Sequence, residues 1–399
     1  MVDQDSDRDP AEIGDEVIET IAPQEPPLEP EETNDASRLE DGIACCLSGG
    51  GYRAMVFHLG ALWRLNELGL LRQVQRFSSV SGGSITSAVL ALHWKRLKDN
   101  NFSTTAFVEH CVEPVRWMAR QSIDVAAVGW GILNPFRRIS DLVADKYDEL
   151  FQGATLDSLP TEPRWVINAT NVKTGVLWRF SQKYTGDYRV GLIPSAKKSF
   201  RLAEAVAASA AFPPYLSPYV LKLNPADFDD TPAELTNDAF RREAVLTDGG
   251  VYDNLGLETA IKRYRTLLVS DGGRNTEADA DPAEDWTRHS YRVIEILQQQ
   301  INSLQKRRLI EALRGETYSG AYWGLHTNLA ELGLADPINI SAEKQAQLSQ
   351  YPTRLASMSE NDQQLLINFG YAKCDGTIRR FYLPEAATPQ GLPYPESPL

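Results

Sequence analysis

Three short stretches of the sequence combine glycines with a residue that could do chemistry. They are "SGGGYR" at 48–53, "SSVSGG" at 78–83 and "TDGG" at 247–250, and each follows an apolar run. Glycine is costly to order, so consecutive glycines indicate that something approaches the main chain closely. A phosphate, a dinucleotide, a developing oxyanion or another segment of the chain would each satisfy that requirement.

The second stretch resembles a nucleophile elbow, in which a serine sits on a sharp turn between a strand and a helix. The usual pattern is GxSxG, because the turn brings the residues around the serine close together. Here Ser81 is the candidate nucleophile, Gly82 and Gly83 follow it, and Ser79 replaces the first glycine. The structural alternative is a serine that only caps the helix, with glycines chosen for packing.

The first stretch could supply hydrogen-bond donors to an oxyanion. Backbone N–H groups of Gly49, Gly50 and Gly51 suit that role, and Arg53 could brace the loop or bias it positively. A Walker loop would need GK[ST], which is missing, and a dinucleotide fingerprint would need a third glycine where Ala54 stands. Nucleotide binding is therefore the weaker interpretation.

A nucleophilic serine needs a base, and the third stretch offers a carboxylate. Asp248 ends a predicted strand before Gly249 and Gly250, and an aspartate within hydrogen-bond reach can take the hydroxyl proton directly. A second "DGG" places Asp271 as a rival, and the triplet alone does not decide between them. The five histidines lie in no recognisable triad context: His58, His93, His110, His289 and His326.

Short apolar runs alternate with helical patterns around these motifs. The strands are predicted at "GIACCL", "VQRFSSV", "RWVINATNV", "VLWRFS", "AVLTD" and "RTLLVSD", and helices follow the first two of them. Strand, tight loop and helix in repetition predict an α/β sheet with helices on its faces. Ligands of such sheets bind where the carboxyl ends of strands meet loops, and every glycine motif falls at that edge.

Taken together and in this order, the motifs resemble those of the patatin-like phospholipases. That family has a GGGx[RK] loop, a GxSxG elbow and a later DG[GA], and the similarity runs from about Ile43 to Asn254. It includes "AVAASAAFPPYLSPY" before Asp248 and the strand pair in "INATNVKTGVLWRFS".

The resemblance implies a three-layer fold with a central, mostly parallel sheet. It also implies a Ser-Asp dyad of Ser81 and Asp248, with Gly49–Gly51 as the oxyanion loop. The implied activity is release of fatty acids from phospholipids or lysophospholipids. The alternatives are a general carboxylesterase and a catalytically silent lipid-binding protein.

Charge is concentrated at the start of the chain. Residues 1–40 hold 14 acidic and 2 basic residues, so they carry −12 of the net charge of −14. They are also rich in proline and poor in aromatic residues, which predicts a disordered acidic tail. The expected catalytic domain covers 41–383 and the expected irregular tail 384–399.

Three segments interrupt the alternation inside the catalytic domain and are predicted to be helical or loop insertions. They cover about 100–160, 224–243 and 275–350. The apolar segment 125–136 could be a lid, a membrane contact or plain core. Apolar residues at 293, 297, 301 and 304 predict one helical face, for which packing in the core is favoured over an interfacial helix or a dimer seam.

Composition limits the partners and the location. The lack of a strongly basic patch argues against nucleic acid, and the cysteines have no metal-ligand spacing, so neither a metal nor a cofactor is expected. No apolar run approaches the ~20 residues that span a bilayer, and no secretory signal pattern is present. We therefore expect a cytoplasmic protein that at most touches membranes peripherally; the sequence leaves its oligomeric state open.

Overall fold

The computed structural model describes residue 28 and residues 32–123, 139–214 and 216–399. The apolar segment 125–136 lies outside this part of the chain. The strands, numbered in chain order, are β1 (Glu40–Leu47), β2 (Val74–Val80), β3 (Arg164–Asn171), β4 (Val176–Ser181), β5 (Tyr184–Asp187), β6 (Gly191–Pro194), β7 (Tyr219–Lys222), β8 (Glu243–Asp248), β9 (Tyr264–Asp271) and β10 (Ser319–Gly324). The predicted strands are all present.

The helices follow the same order along the chain. They are α1 (Gly51–Glu67), α2 (Gly82–Asp99), α3 (Thr104–Phe107), α4 (Glu113–Ala119), α5 (Ile139–Phe151), α6 (Leu202–Ser209), α7 (Asp238–Arg241), α8 (Gly250–Asp253), α9 (Glu258–Ile261), α10 (Trp286–Arg314), α11 (Ala342–Ser349) and α12 (Glu360–Phe381). A π-helical stretch, Val108–Val112, joins α3 to α4.

The ten strands form one sheet with a parallel and an antiparallel half. The parallel half has the order β10-β9-β1-β2-β3. Beyond β3, the strands β4, β5 and β6 add in antiparallel fashion, while β8 pairs with β3 and β7 with β8. The glycine loop follows β1 and the serine turn follows β2, and both strands belong to the parallel half. Asp248 ends β8, which pairs with β3 at the border of that half.

Helices cover both faces of the sheet. Alternate residues of β1 point to opposite sides, so Cys45 and Leu47 join the larger core with α1, α2 and α12, whereas Ala44 and Cys46 join a smaller core with α9 and α10. This confirms the predicted three-layer α/β fold. All four cysteines are free and buried.

The register along β3 brings two distant segments together. Strand β2 pairs with the first part of β3 and ends with Val80 opposite Asn168, whereas Asp248 of β8 lies opposite Ala169. Since β4 occupies the other edge of β3 throughout, β2 and β8 share one edge, end to end. The residue after Val80 therefore meets Asp248.

Two of the predicted boundaries differ from the structure. The segment 275–350, expected to be an insertion, contains β10, which pairs in parallel with β9 and extends the sheet. The predicted acidic tail also ends earlier than residue 40. Glu32 is buried, and its carboxylate accepts hydrogen bonds from Arg76 at 3.2 Å and from Arg179 at 2.8 Å. The two buried guanidinium groups hold this part of the segment in place. The composition of the segment gives no indication of these partners, because they lie far along the chain.

The long helix α10 is not the packed core helix that its sequence favours. Of the 29 residues of α10, Leu309 is the one that is buried. The apolar side chains predicted to share one face are exposed: Val293, Leu297, Ile301 and Leu304. Within the described residues, no helix is both long and apolar enough to cross a bilayer.

Candidate active site

Ser81 occupies the turn between β2 and α2. Its backbone has φ 51° and ψ −120°, a left-handed conformation that residues with a Cβ seldom adopt. Such a turn is the strained geometry of a nucleophile elbow, and it costs about 1–3 kcal/mol that the surroundings must offset. Ser79 lies within β2 and has no positive φ, so serine is compatible with the backbone there.

A hydroxyl network holds the elbow in this conformation. The Ser81 N–H donates to Ser209 Oγ at 2.9 Å, and Ser209 Oγ donates to the Asn168 carbonyl at 2.6 Å. Ser84 Oγ lies 3.0 Å from Ser209 Oγ and 3.2 Å from Ser79 Oγ. Sequence reasoning does not identify Ser209 as a supporting residue, although the small-residue segment "AVAASAAF" contains it.

The two glycine motifs pack directly against each other. A Cβ on Gly82 would lie 2.0 Å from the Gly51 carbonyl oxygen, and one on Gly51 would lie 2.7 Å from the Arg354 carbonyl oxygen. Gly51 also has φ 61°. Glycine at both positions follows from close backbone approach, as the sequence predicts.

The Asp248 carboxylate lies close enough to the Ser81 side chain for the serine to favour the ionised carboxylate, and both line the same cavity. It also accepts the Gly250 N–H at 2.7 Å, while the Asp248 carbonyl accepts from Thr170 Oγ1 at 2.9 Å. Burial raises the pKa of Asp248 to about 6, against the lowering effects of the Gly250 N–H and the Ser81 side chain. A carboxylate with that pKa is ionised at neutral pH and is a better proton acceptor than an exposed one.

The rival Asp271 lies in a different environment. Its carboxylate contacts Lys306 Nζ at 2.6 Å and accepts hydrogen bonds from the Tyr322 hydroxyl at 2.7 Å and the Gly273 N–H at 2.8 Å. Burial acts to raise its pKa, but Lys306 and the hydrogen bonds outweigh burial and hold the pKa below the usual range. Asp271 is thus engaged in a buried ion pair.

The glycine loop does not offer all of its amides. The Gly49 N–H donates to the Asn254 carbonyl at 3.0 Å, so this donor, included in the predicted oxyanion loop, is already used. Within the described part of the chain, no acceptor is found for the N–H groups of Gly50 and Gly51. The structure therefore narrows the candidate donors of this loop to Gly50 and Gly51.

Arg53 braces the loop from beneath. Its side chain is fully buried, with Nε donating to the Gly272 carbonyl at 2.9 Å and Nη1 to the Tyr351 carbonyl and Thr353 Oγ1, both at 2.6 Å. Among the described residues Nη2 has no hydrogen-bond partner, and it lies beside Gly50. Burial lowers the pKa of Arg53 to about 9, which leaves it charged at neutral pH.

These groups open into one cavity of about 970 Å³. Ser81, Asp248 and the glycine loop line it at one side, and polar residues of α10 line it at another. Arg274 and Arg354 also reach the cavity, so with Arg53 its lining holds three guanidinium groups against the carboxylates of Asp248 and Glu295. Such a volume lies at the upper end of small-molecule sites and could hold an acyl chain.

The histidine best placed to compete as a base is structural. His58 is buried, with Nδ1 2.7 Å from Ser270 Oγ and Nε2 2.9 Å from the Ser48 carbonyl oxygen. Burial lowers its pKa to about 4, so it is neutral at pH 7. In the described ranges, no histidine lines the cavity, and no group of three His, Cys, Asp or Glu side chains could hold a metal.

Fold and site together define an α/β protein with a serine on a strained strand-to-helix turn beside a buried carboxylate. The sequence profile described as Patatin-like phospholipase matches residues 45–261, and the chain belongs to this family. The resemblance drawn from the motifs is confirmed. No match is found among curated proteins.

One solved human structure shares the fold at low sequence identity, and two further structures are weaker matches. Human GIVD cytosolic phospholipase A2 is 14% identical with a TM-score of 0.53, covering 84% of this chain and 58% of that chain. Its complex with methyl gamma-linolenyl fluorophosphonate is 15% identical with a TM-score of 0.49 and covers 86% and 59%. VipD from Legionella pneumophila is 14% identical with a TM-score of 0.32 and covers 87% and 66%. The chain therefore spans less than two thirds of the human protein.

Proposed function

We propose that the protein releases fatty acids from phospholipids or lysophospholipids, with Ser81 as nucleophile and Asp248 as its base. The observation that carries the proposal is the placement of the Asp248 carboxylate beside the Ser81 side chain, with both residues on the wall of a cavity of about 970 Å³. Membership of the patatin-like phospholipase family supports a lipid acyl hydrolase. The name of the human structural neighbour, a phospholipase A2, agrees with a phospholipid substrate.

The reaction follows from the chemistry of the groups. Asp248 accepts the Ser81 proton while the serine oxygen attacks the ester carbonyl, and the N–H groups of Gly50 and Gly51 stabilise the oxyanion. Collapse of the tetrahedral intermediate breaks the ester bond, and the proton held by Asp248 passes to the leaving alcohol. Asp248 then takes a proton from water as the water oxygen attacks the acyl-enzyme, and collapse of this second intermediate releases the fatty acid while the proton returns from Asp248 to the Ser81 oxygen.

Positive charge in the cavity favours a phosphate-bearing substrate over a neutral ester. Arg274 and Arg354 line the same cavity as Ser81, and the unpartnered Nη2 of Arg53 is buried beside the glycine loop. Guanidinium groups bind phosphate through paired hydrogen bonds. A general carboxylesterase would have no use for this charge.

The test combines covalent labelling with product analysis. A fluorophosphonate probe should label the wild type and Ser87→Ala, a buried serine further along α2 that does not line the cavity, but should not label Ser81→Ala. Mass spectrometry of a mixed lipid extract should show free fatty acids and lysolipids with the wild type and with Ser87→Ala, but not with Ser81→Ala. Labelling of Ser81→Ala, or fatty-acid release by that variant, would refute the assignment of the nucleophile.

Substrate class is tested separately from the mechanism. Arg274→Gln should slow phospholipid hydrolysis while turnover of a short neutral ester stays within about twofold. Equal losses on both substrates would favour the general carboxylesterase. A wild type that binds lipids yet neither reacts with the probe nor turns over any ester would be the silent lipid-binding protein.

A further inference from the structure

The outward face of α10 carries an apolar stripe that the described part of the chain leaves at least 40% exposed. Val293, Leu297, Ile301 and Leu304 are between 40% and 59% exposed, and Trp286 is 79% exposed. At about 100° per residue, all five lie within roughly 80° of one another around the helix. The stripe from Trp286 to Leu304 is ~27 Å long.

The opposite face of the same helix lines the cavity. Tyr291, Glu295, Gln298 and Asn302 reach the space above Ser81, and their positions centre about 140° from the stripe. One helix thickness, ~10 Å, thus separates the exposed apolar stripe from the candidate active site.

The charge of α10 differs in sign from that of the whole protein. The helix has six basic and two acidic residues, a net charge of +4 in a chain of −14. Its exposed basic residues are Arg288, Arg307, Arg308 and Arg314. On the helical wheel Arg308 falls within the stripe, and Arg307 lies about 40° beyond its edge. An apolar stripe flanked by cations matches an anionic lipid surface, with acyl chains below and phosphates above.

We propose that α10 is an interfacial helix that docks the protein on an anionic lipid surface. The stripe enters the boundary between headgroups and acyl chains, Arg307 and Arg308 contact phosphates, and the inner face of the helix presents the cavity to lipids of that surface. The use of this surface for substrate delivery rests on the proposed function; the docking itself does not.

Vesicle flotation tests the docking, carried out in a Ser81→Ala background so that lipid is not consumed. The protein should float with 3:1 phosphatidylcholine:phosphatidylglycerol vesicles and much less with phosphatidylcholine alone. Leu297→Glu with Leu304→Glu should weaken binding at least about tenfold, because two charges would enter the apolar boundary. Arg307→Gln with Arg308→Gln should weaken binding to the anionic vesicles about 30-fold and leave the neutral ones unchanged.

The matched control is Val172→Glu, since Val172 is 57% exposed in the turn after β3, away from α10. It should bind like the parent. Equal binding by the Leu297/Leu304 variant, or no vesicle binding by any form, would overturn the proposal. So would light scattering that shows a dimer dissociated by that variant, because the stripe would then be a subunit contact.

Turnover of a soluble short-chain ester by the protein that retains Ser81 distinguishes a failure of the docking proposal from a failure of the proposed function. Ester turnover without vesicle binding would leave the proposed function standing and refute the docking surface. Vesicle binding that depends on the stripe, in a protein without ester turnover, would support the docking surface and refute the proposed function.

Discussion

Replacing Asp248 with asparagine should abolish activity and at the same time stabilise the protein. The wild-type carboxylate is buried, and burial raises its pKa from 3.8 to about 6. At 1.36 kcal/mol per pH unit, keeping this group ionised in the folded state costs about 3 kcal/mol of stability. An asparagine of the same shape can still accept the Gly250 N–H and contact Ser81, but it carries no charge to desolvate.

The pH dependence of this effect has a definite sign. Because the folded state binds the Asp248 proton more tightly than the unfolded state, wild-type stability rises as the pH falls from about 6 to below 4. The gain from Asp248→Asn should therefore be about 3 kcal/mol at pH 8 and close to zero below pH 4. Urea unfolding of both proteins across that range measures the difference directly.

The matched control is Asp271→Asn, for which the opposite sign is expected. Asp271 is ion-paired with Lys306 and has a lowered pKa, so its charge contributes stability above its unfolded pKa that is lost as the pH falls. That variant should be destabilised at pH 8 and should keep the ability to react with a fluorophosphonate. Destabilisation of Asp248→Asn at pH 8 would refute our account of Asp248 as a carboxylate held at an energetic cost.

Three more predictions concern activity and packing. The kcat/KM for a neutral ester should fall about tenfold per pH unit below about 6, as Asp248 becomes protonated; a flat profile down to pH 4 would contradict Asp248 as the base. Gly82→Ala should cost more than about 3 kcal/mol and abolish probe labelling, because its Cβ would lie 2.0 Å from the Gly51 oxygen; thermal unfolding checks this. Glu32→Gln should cost about 3–5 kcal/mol by removing the carboxylate between two buried arginines, whereas Asp35→Asn, at an exposed position, should leave the unfolding temperature nearly unchanged. Calorimetry of both variants decides.

The features that the sequence predicts well are those encoded locally. The strand-turn-helix around Ser81 and the close approach at Gly82 follow from a few neighbouring residues, because the turn itself dictates which side chains fit. The pairing of Asp248 with Ser81 requires the register of β2 and β8 on β3, which the sequence alone does not contain; the family resemblance supplied it.

The features that the sequence predicts poorly depend on partners far along the chain. An apolar stripe at helical spacing is the same pattern on a core helix and on an exposed one, so periodicity could not show that Leu297 faces outward. The local sequence around Glu32 is charged and rich in proline, so it does not predict that Arg76 and Arg179 pair with this residue in the interior. The Gly49 amide is predicted as a donor because nothing in "GGG" reveals its bond to Asn254.

The contact between Gly82 and Gly51 determines which parts of this protein can vary. Since the two loops touch through their backbones, neither can shift to suit a bulkier or slimmer lipid without moving the other. The wall formed by α10 has a single buried residue, Leu309, so its cavity-facing side chains can change with little effect on the packing of the core. Selection for a new acyl chain or head group should therefore change residues of α10 and conserve the glycine loop and the turn at Ser81.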